Sequence, residues 1–470
     1  MQYSVVNYKT VLIEDESMRF DADFYMPDFL KNAGLLKEKN AEKLDNLCTK
    51  KRITKGETPL WQGFSYEETG IPFVRSQDLV FGSIKNDEFV FVSEKYHKLK
   101  KRSEIQNGDS LIAIVGATIG VIGFYDLNEP ANCNQAVAII RLNNQTFSKY
   151  IQVFLHSEIA QKQIKRFQGG NARDNLDLDE VRKIKVILPS SRFNSTIEQI
   201  FDKAKEKINH SKSLYSQAEQ LLLSELGLAD WKPKHQLTFV KNFSDTQKAK
   251  RIDAEYFQPK YEEIIEAVKK YKGGFDLIKG QFKQNKKSFK KILNEEYQYI
   301  EIGSVNISDG STEPMTLQGD ELPANAKIKL QKNDVIVSKV RPYRGAIGIV
   351  DNENYVGSGA FTVLQENGAV NKETLFVYLR LKPLLDFSLK FNTGTSYPTI
   401  TDEDILNFPL PKIDSKTQEE IKKKITEMYE TKRLSKSLLE IAKRGVEMAI
   451  EKDEQEAEKW IESELKAFNL

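Results

Sequence analysis

Residues Arg19 to Pro27 read RFDADFYMP, and Arg251 to Pro259 read RIDAEYFQP. Arg, Asp, Ala and Pro hold the same places in both, and the aromatic positions nearly so. Three further pairs follow in the same order. NGDSLIAIVGATIGVIG from Asn107 parallels KNDVIVSKVRPYRGAIGIV from Lys332, and FQGGNARDNLDLDEVRKIKVILP from Phe167 parallels FNTGTSYPTITDEDILNFPLP from Phe391. The string SKSL at Ser211 returns at Ser435. Colinear matches of this kind mark an internal duplication, and its period is far beyond the ~20–50 residues of a solenoid repeat, so each copy is a domain with a connector.

The body of each copy is β-leaning. IPFVRSQDLV, EFVFVS and QAVAIIRL in the first, and VIVSKV and GAIGIVD in the second, are short β-branched or alternating runs broken by Gly, Asn and Asp. Ser148 to Phe167, and the stretch from Lys372, have the pattern of short helices within the same domain. A long helix then ends each copy. In the first, Ile197, Phe201, Ala204, Ile208, Ser211, Tyr215, Ala218 and Leu222 step by three and four; in the second, the stripe runs Ile421, Ile425, Met428, Lys432, Ser435, Leu439, Ala442, Val446 and Ala449. A rod of ~30 residues or more is about 45 Å long and cannot bury such a stripe alone. The expected fold is therefore α+β, with two tandem β-rich domains at 1–190 and 231–412 and long helices at 191–230 and 413–470. The helices are expected to pack as an antiparallel coiled coil with pseudo-two-fold symmetry.

Composition narrows the function. The chain has 470 residues, of which 40% are hydrophobic and 29% charged, with 14 Pro, so a disordered or collagen-like chain is excluded. Its longest apolar run, Leu111 to Tyr125, is glycine-broken and shorter than the ~20 residues that span a bilayer, so no membrane association is expected. The start of the chain carries no cleavage-site pattern, and Cys48 and Cys133 stand far apart, which fits a reducing cytoplasm. Lys+Arg number 70 against 68 Asp+Glu, so binding to nucleic acid would rest on local basic faces rather than bulk charge. Lys279 to Lys291 holds six Lys and no acid, and KKRITK from Lys50 falls at the matching place in the first copy.

Traces of catalysis are missing. The four His (His97, His156, His210, His235) are scattered, so no zinc spacing exists. VGATIGVIG lacks the Lys-Ser/Thr of a phosphate loop, and GSGAF at Gly357 lacks the strand-turn-helix context of a nucleophile elbow. The chain has no Pro-Pro pair, so the tetrapeptide with which amino-methyltransferases hold a target base is absent. A binding protein without its own catalysis is expected.

Two β-rich copies, each closed by a long helix, resemble the specificity (S) subunit of Type I restriction-modification systems, or the similar Type IIB specificity subunit. GETPLW followed by GIPFVRSQDL (Gly56 to Leu79), NGDSLIAIVGATIG, and the ILP or PLP strand before each long helix carry the likeness. The resemblance implies target recognition domains that each read one half of a bipartite, asymmetric site on double-stranded DNA, in phage defence. It also implies helices that dock two DNA adenine methyltransferase (M) subunits and restriction/translocase (R) subunits. S-adenosylmethionine, ATP and Mg would be bound by those partners, with no cofactor in this chain. The copies differ where reading is expected: VGATIG faces KVRPYRGAIG, and YIEIGSVNISDG stands where the first copy has GIPFVRSQDL. Candidate DNA-binding residues are Arg75, Ser76, Gln77, Asn171 and Arg173 in the first copy, and Lys339, Arg341, Tyr343, Arg344, Thr395 and Tyr397 in the second. Lys283, Lys286 and Lys287 are expected on phosphates. The competing reading is a protein-interaction scaffold of two β-rich modules on a coiled coil.

Overall fold

The computed structural model describes residues 5–9, 11, 19–51, 53–85, 89–168, 175–232, 235–394 and 397–468. The chain forms two compact units: unit 1 comprises Met1–Lys207 and Arg433–Leu470, and unit 2 is Ile208–Lys432.

Unit 1 carries two four-stranded sheets. One runs in the order Thr54–Lys55, Val137–Ile140, Ser110–Ala113, Ile122–Phe124, antiparallel throughout. The other runs Val90–Val92, Ile71–Val74, Ala131–Cys133, Glu104–Ile105, with its two central strands parallel. Unit 2 repeats both orders. Phe282–Gln284, Phe361–Glu366, Val335–Ser338 and Ile347–Ile349 form the antiparallel sheet. Met315–Gln318, Glu296–Ile300, Tyr355–Ser358 and Ala326–Lys329 form the mixed one, again with a parallel central pair. Since parallel neighbours need a crossover rather than a hairpin, finding that pair at the same place in both units ties the topology to the duplication.

The repeated strings have structural work at the sheet edges and turns. Asp109 and Asp334, the acids of the GD and ND strings, are buried and accept the amide N–H of Gln106 at 2.8 Å and Gln331 at 2.9 Å, closing the turn before the central strand. In unit 1 the Asp109 carboxylate also holds Arg141 at 2.6 Å; in unit 2, Asp334 takes the amides of Asn285 and Gln365. In the opening motif, Asp21 caps a 3-10 turn through the Phe24 N–H at 3.1 Å, while the Arg19 guanidinium pairs with Asp21 and lies 4.7 Å from the Phe24 ring. Arg251, Asp253 and Tyr256 reproduce that arrangement, with the same 4.7 Å ring distance. Pro27 and Pro259 then open the helices Pro27–Glu38 and Pro259–Lys269, as befits a residue with no N–H to satisfy.

YIEIGSVNISDG does have its place. Glu296–Ile300 occupies the position of Ile71–Val74, and each strand runs into a short 3-10 turn, Ile302–Ser304 or Ser76–Asp78. Asp78 closes the first turn by accepting from Arg75, whereas Ser304 accepts from the Glu301 N–H at 3.2 Å in the second. The likeness is invisible in the letters because different side chains close the same turn.

Two long helices, Ser191–Glu225 and Ser415–Glu451, each lend one part to each unit. In unit 1, Ile197, Phe201 and Ala204 share a core with Leu438, Ala442 and Val446, and the Ser435 hydroxyl donates to the Ala204 carbonyl at 2.6 Å. In unit 2, Tyr215, Ala218 and Leu222 share a core with Ile421, Ile425 and Met428. Each large apolar side chain so buried contributes about 1.5–3 kcal/mol. Lys432, the charged member of the stripe, reaches the Asp309 carboxylate and Ser311. One expectation changes: the stretch 413–470 is not a single helix. It stops at Glu451, Asp453 turns extended and accepts the Glu456 N–H at 2.9 Å, and a new helix, Glu454–Ala467, begins. That helix folds back so closely that a Cβ at Gly445 would meet the Ile461 side chain at 2.6 Å. Among the described residues, no helix is long and apolar enough to cross a membrane.

Candidate nucleic-acid interface

In unit 1, two chain segments flank the short crossover that passes from the mixed sheet to the antiparallel one. In unit 1, the Asn134 N–H donates to the Val74 carbonyl at 3.1 Å, and the Ile114 N–H to the Ala136 carbonyl at 2.9 Å. Arg75 to Gln77 and Val115 to Gly120 therefore leave their strands beside the same three residues. In unit 2, the Lys339 N–H donates to the Ala360 carbonyl at 2.9 Å, which brings Lys339 to Gly345 to the matching place. A third segment joins them. Val115 pairs with Asn175, and Val340 with Thr399, as isolated antiparallel bridges. Asn175 and Thr399, which follow the Gly-rich strings in the sequence, are thus tied to the glycine-bearing turns by matching bridges. Asn171, Arg173 and Thr395 lie outside the described residues.

The unit 2 turn repeats the backbone of the unit 1 turn, in which Gly116 and Gly120 stand at φ 80° and 83°. Arg341 sits in the left-handed region at φ 47°, Pro342 fixes the next residue, and Gly345 closes the turn at φ 76°. A left-handed non-glycine residue costs free energy that surrounding contacts must offset. Here the Arg341 N–H donates to the Pro398 carbonyl at 2.8 Å, and its guanidinium lies over the Tyr397 ring at 4.8 Å. Tyr397 is itself 69% exposed, so ring and guanidinium form an outward-facing plate. Arg344 is exposed and Tyr343 half-buried beside it. The structure brings Arg341, Tyr343, Arg344 and Tyr397 into one cluster.

Other candidates are held differently. Lys339 pairs with Asp402 at 3.1 Å, and Asp402 also accepts from Thr362 at 2.5 Å. Burial alone would push the Asp402 carboxyl up, but those two donors outweigh it and hold it below its ordinary value. The Arg75 guanidinium makes two 3.1 Å contacts to Asp78, leaving Ser76 half-buried and Gln77 exposed at the head of the turn. The lysines stand apart from the arginines. Lys283 lies on the edge strand opposite Gln365, near the turn where Asp334 starts the Val335–Ser338 strand, and Lys287 reaches Gln331 at 3.1 Å. Arg341 and Arg344 leave that strand at its other end, about 10–13 Å away for four residues of strand. Lys283, Lys286 and Lys287 are all exposed. A lysine-bearing edge strand also protects a sheet from pairing with other chains.

Two residues beneath the turns escape a reading of motifs. Arg380 and His156 end the equivalent helices Lys372–Arg380 and Ser148–His156. Arg380 is buried, and donates to the Gly345 carbonyl at 2.7 Å. Its sequence signal is a charge set among LFVYLRL, where a surface arginine is out of place. The turns present planar cations and an aromatic face at the surface. Among the described residues no group of three His, Cys, Asp or Glu could hold a metal ion, and both cysteines are buried, with desolvation pushing the Cys48 thiol up to about 12.

Comparison with known proteins places the chain in a family. The family model described as Type I restriction modification DNA specificity domain matches residues 37–220 and 267–443. The chain is similar to the Type I restriction enzyme HindI specificity subunit of Haemophilus influenzae, 28% identical over 135 residues, which cover 28% of this chain and 26% of that protein. It is also similar to the Type I restriction enzyme EcoBI specificity subunit of Escherichia coli, 26% identical over 166 residues, or 33% of this chain and 34% of that one. The similarity thus spans about a quarter to a third of these relatives. Among solved structures, the S subunit of the Type-I restriction-modification system from M. genitalium aligns over 85% of this chain and 93% of its own, at 12% identity and a TM-score of 0.38.

Proposed function

Because the chain belongs to the family of the Type I restriction modification DNA specificity domain, with a match in each of its two copies, we propose that it is the DNA-sequence-specificity subunit of a restriction-modification complex. In this reading 1–190 and 231–412 are target recognition domains that each read half of a bipartite, asymmetric site. The long helices Ser191–Glu225 and Ser415–Glu451, within the stretches 191–230 and 413–470, pack as an antiparallel coiled coil that spaces the domains and docks methyltransferase and restriction subunits. The chain itself is not an enzyme, works in the cytoplasm, and leaves S-adenosylmethionine, ATP and Mg to its partners. One observation carries the proposal. The two units tie the glycine-bearing turn to its neighbours by matching backbone contacts, Ile114 to Ala136 and Val115 to Asn175 in one, Lys339 to Ala360 and Val340 to Thr399 in the other, yet present VGATIG in one and VRPYRG in the other, with Arg75 in one and Glu301 in the other. Conserving a frame while changing its outward side chains is what two readers of different half-sites require.

The test is a randomised-site binding selection on the complex of this chain with its methyltransferase, followed over a salt series. A split site with unlike halves is expected, and an affinity that falls linearly on log–log axes with salt. A selected site without a gap would sink the proposal. Incubated alone with labelled S-adenosylmethionine and the selected DNA, the chain should transfer nothing. Carrying Ile208→Glu and Leu439→Glu together, it should keep both β-rich folds and lose partner binding. Normal assembly of that variant would remove the spacer helices from the proposal.

A further inference from the structure

Arg380 ties together three segments of unit 2 that are distant in sequence. Its Nε donates to the Tyr215 hydroxyl on the long helix at 2.7 Å. One terminal nitrogen donates to the carbonyls of Gly345 at 2.7 Å and Ile347 at 3.2 Å, and the other to the Ile307 carbonyl at 2.8 Å. The rings of Tyr215 and Phe376 lie 5.1 and 5.3 Å from the guanidinium carbon. Gly345 closes the turn bearing Arg341 and Arg344, while Ile307 follows the 3-10 turn Ile302–Ser304 that corresponds to Ser76–Asp78. A guanidinium is a rigid plane whose donors point in fixed directions. It satisfies these acceptors together only if helix, reading turn and 3-10 turn keep one mutual spacing.

We propose that Arg380, with Tyr215 as its anchor on the long helix, is a positioning residue that sets where Arg341 and Arg344 stand over the bases. The inference rests on the reading of that turn as part of a DNA reader. Unit 1 has a weaker version of the device. His156, in the matching place, contacts the Ile122 carbonyl at 3.0 Å and stacks on Phe81 with ring centroids 3.8 Å apart. The unit 2 half-site is accordingly the one whose discrimination depends on a buried fork.

The experiment uses the assembled complex with Tyr215→Phe and, separately, Arg380→Lys, in randomised-site selections alongside thermal melts. Each variant should lose roughly threefold to tenfold of its discrimination in the half read by unit 2, the scale of one or two hydrogen bonds. The other half and the affinity for random-sequence DNA should stay unchanged, because the exposed lysines are not moved. If Arg380→Lys fails to fold, Tyr215→Phe, which keeps the ring, decides alone. Folded variants with wild-type base preference overturn the inference while leaving the specificity reading intact, even where their melts are lowered. A wild-type complex that shows no preference in that half overturns both.

Discussion

The turns Val115–Gly120 and Val340–Gly345 stand at the same point of the same frame, each with left-handed residues at its second and last positions, and differ in nearly every side chain they carry. The first carries alanine, threonine and isoleucine between glycines; the second carries two arginines, a proline and a tyrosine, with Arg341 in a left-handed conformation. The frame beneath them differs in its chemistry too. Asp109 of unit 1 is neutralised by Arg141, whereas Asp334 of unit 2 is met by neutral amides. The lesson is that the backbone contacts, not the side chains, are what the duplication preserved, so scaffold and read-out can be broken separately.

The largest expected effect is on the scaffold. Asp109→Ala leaves Arg141 without its carboxylate and should cost about 3–5 kcal/mol, the range for half of a buried ion pair. Asp334→Ala strands only amides and should cost about 1–3 kcal/mol. Thermal or urea melts that rank the two variants the other way would contradict the difference drawn between the frames. The next effect is on read-out. Arg341→Ala and Arg344→Ala should each lower affinity for the selected site by about 1–3 kcal/mol and relax one or two base positions, all in one half. Loss spread evenly over both halves would break the assignment of one unit to one half-site.

Smaller still is the positioning charge. Lys286→Ala or Lys287→Ala should weaken every sequence alike and flatten the slope of log affinity against log salt by about 0.9 for each phosphate that is no longer neutralised. An unchanged slope would leave those lysines as guards of a sheet edge. The smallest effect is with pH. Burial alone would push the Asp309 carboxyl up, but the Lys432 ammonium outweighs it and holds it below its ordinary value. A depressed carboxyl contributes stability above its unfolded pKa of about 4 and loses it as pH falls through the lower folded value. Asp309→Asn should therefore flatten the acid side of the unit 2 stability curve below about pH 4. Curves that stay parallel over that range would remove the ion pair from the account.

What the sequence made legible follows from what repeats. The stripe from Ile197 to Leu222 and its partner from Ile421 to Ala449 are periodic, and periodicity survives without knowledge of neighbours. The strings NGD and KND are near-identical because a buried carboxylate must catch a turn amide in each copy. That signal of family is a feature of folding and not of reading. Arg75 illustrates the reverse: its place beside Gln77 suggests a reader, and its guanidinium is engaged by Asp78. Lys339 is likewise engaged by Asp402, a partner far along the chain that no local pattern announces. The break at Asp453 is marked by little more than Asp453 with Glu456 three residues on, an N-cap pattern inside a run otherwise rich in helix formers, and it is the fold-back of Ile461 onto Gly445 that makes a corner there. Arg380 was missed for the opposite reason, since its importance lies in carbonyl partners, which sequence does not display.

The division of the chain also orders its synthesis. The core of unit 2 draws its last large side chain from Tyr429, while the core of unit 1 still needs residues out to Ile461. On a ribosome adding about 5–20 residues per second, the unit begun first is the one completed last, and the inserted unit can close while its host waits. A frameshift or stop near Glu451 would thus fall on the earlier-made half, removing Ala457 and Ile461 from its core and leaving the later-made half whole.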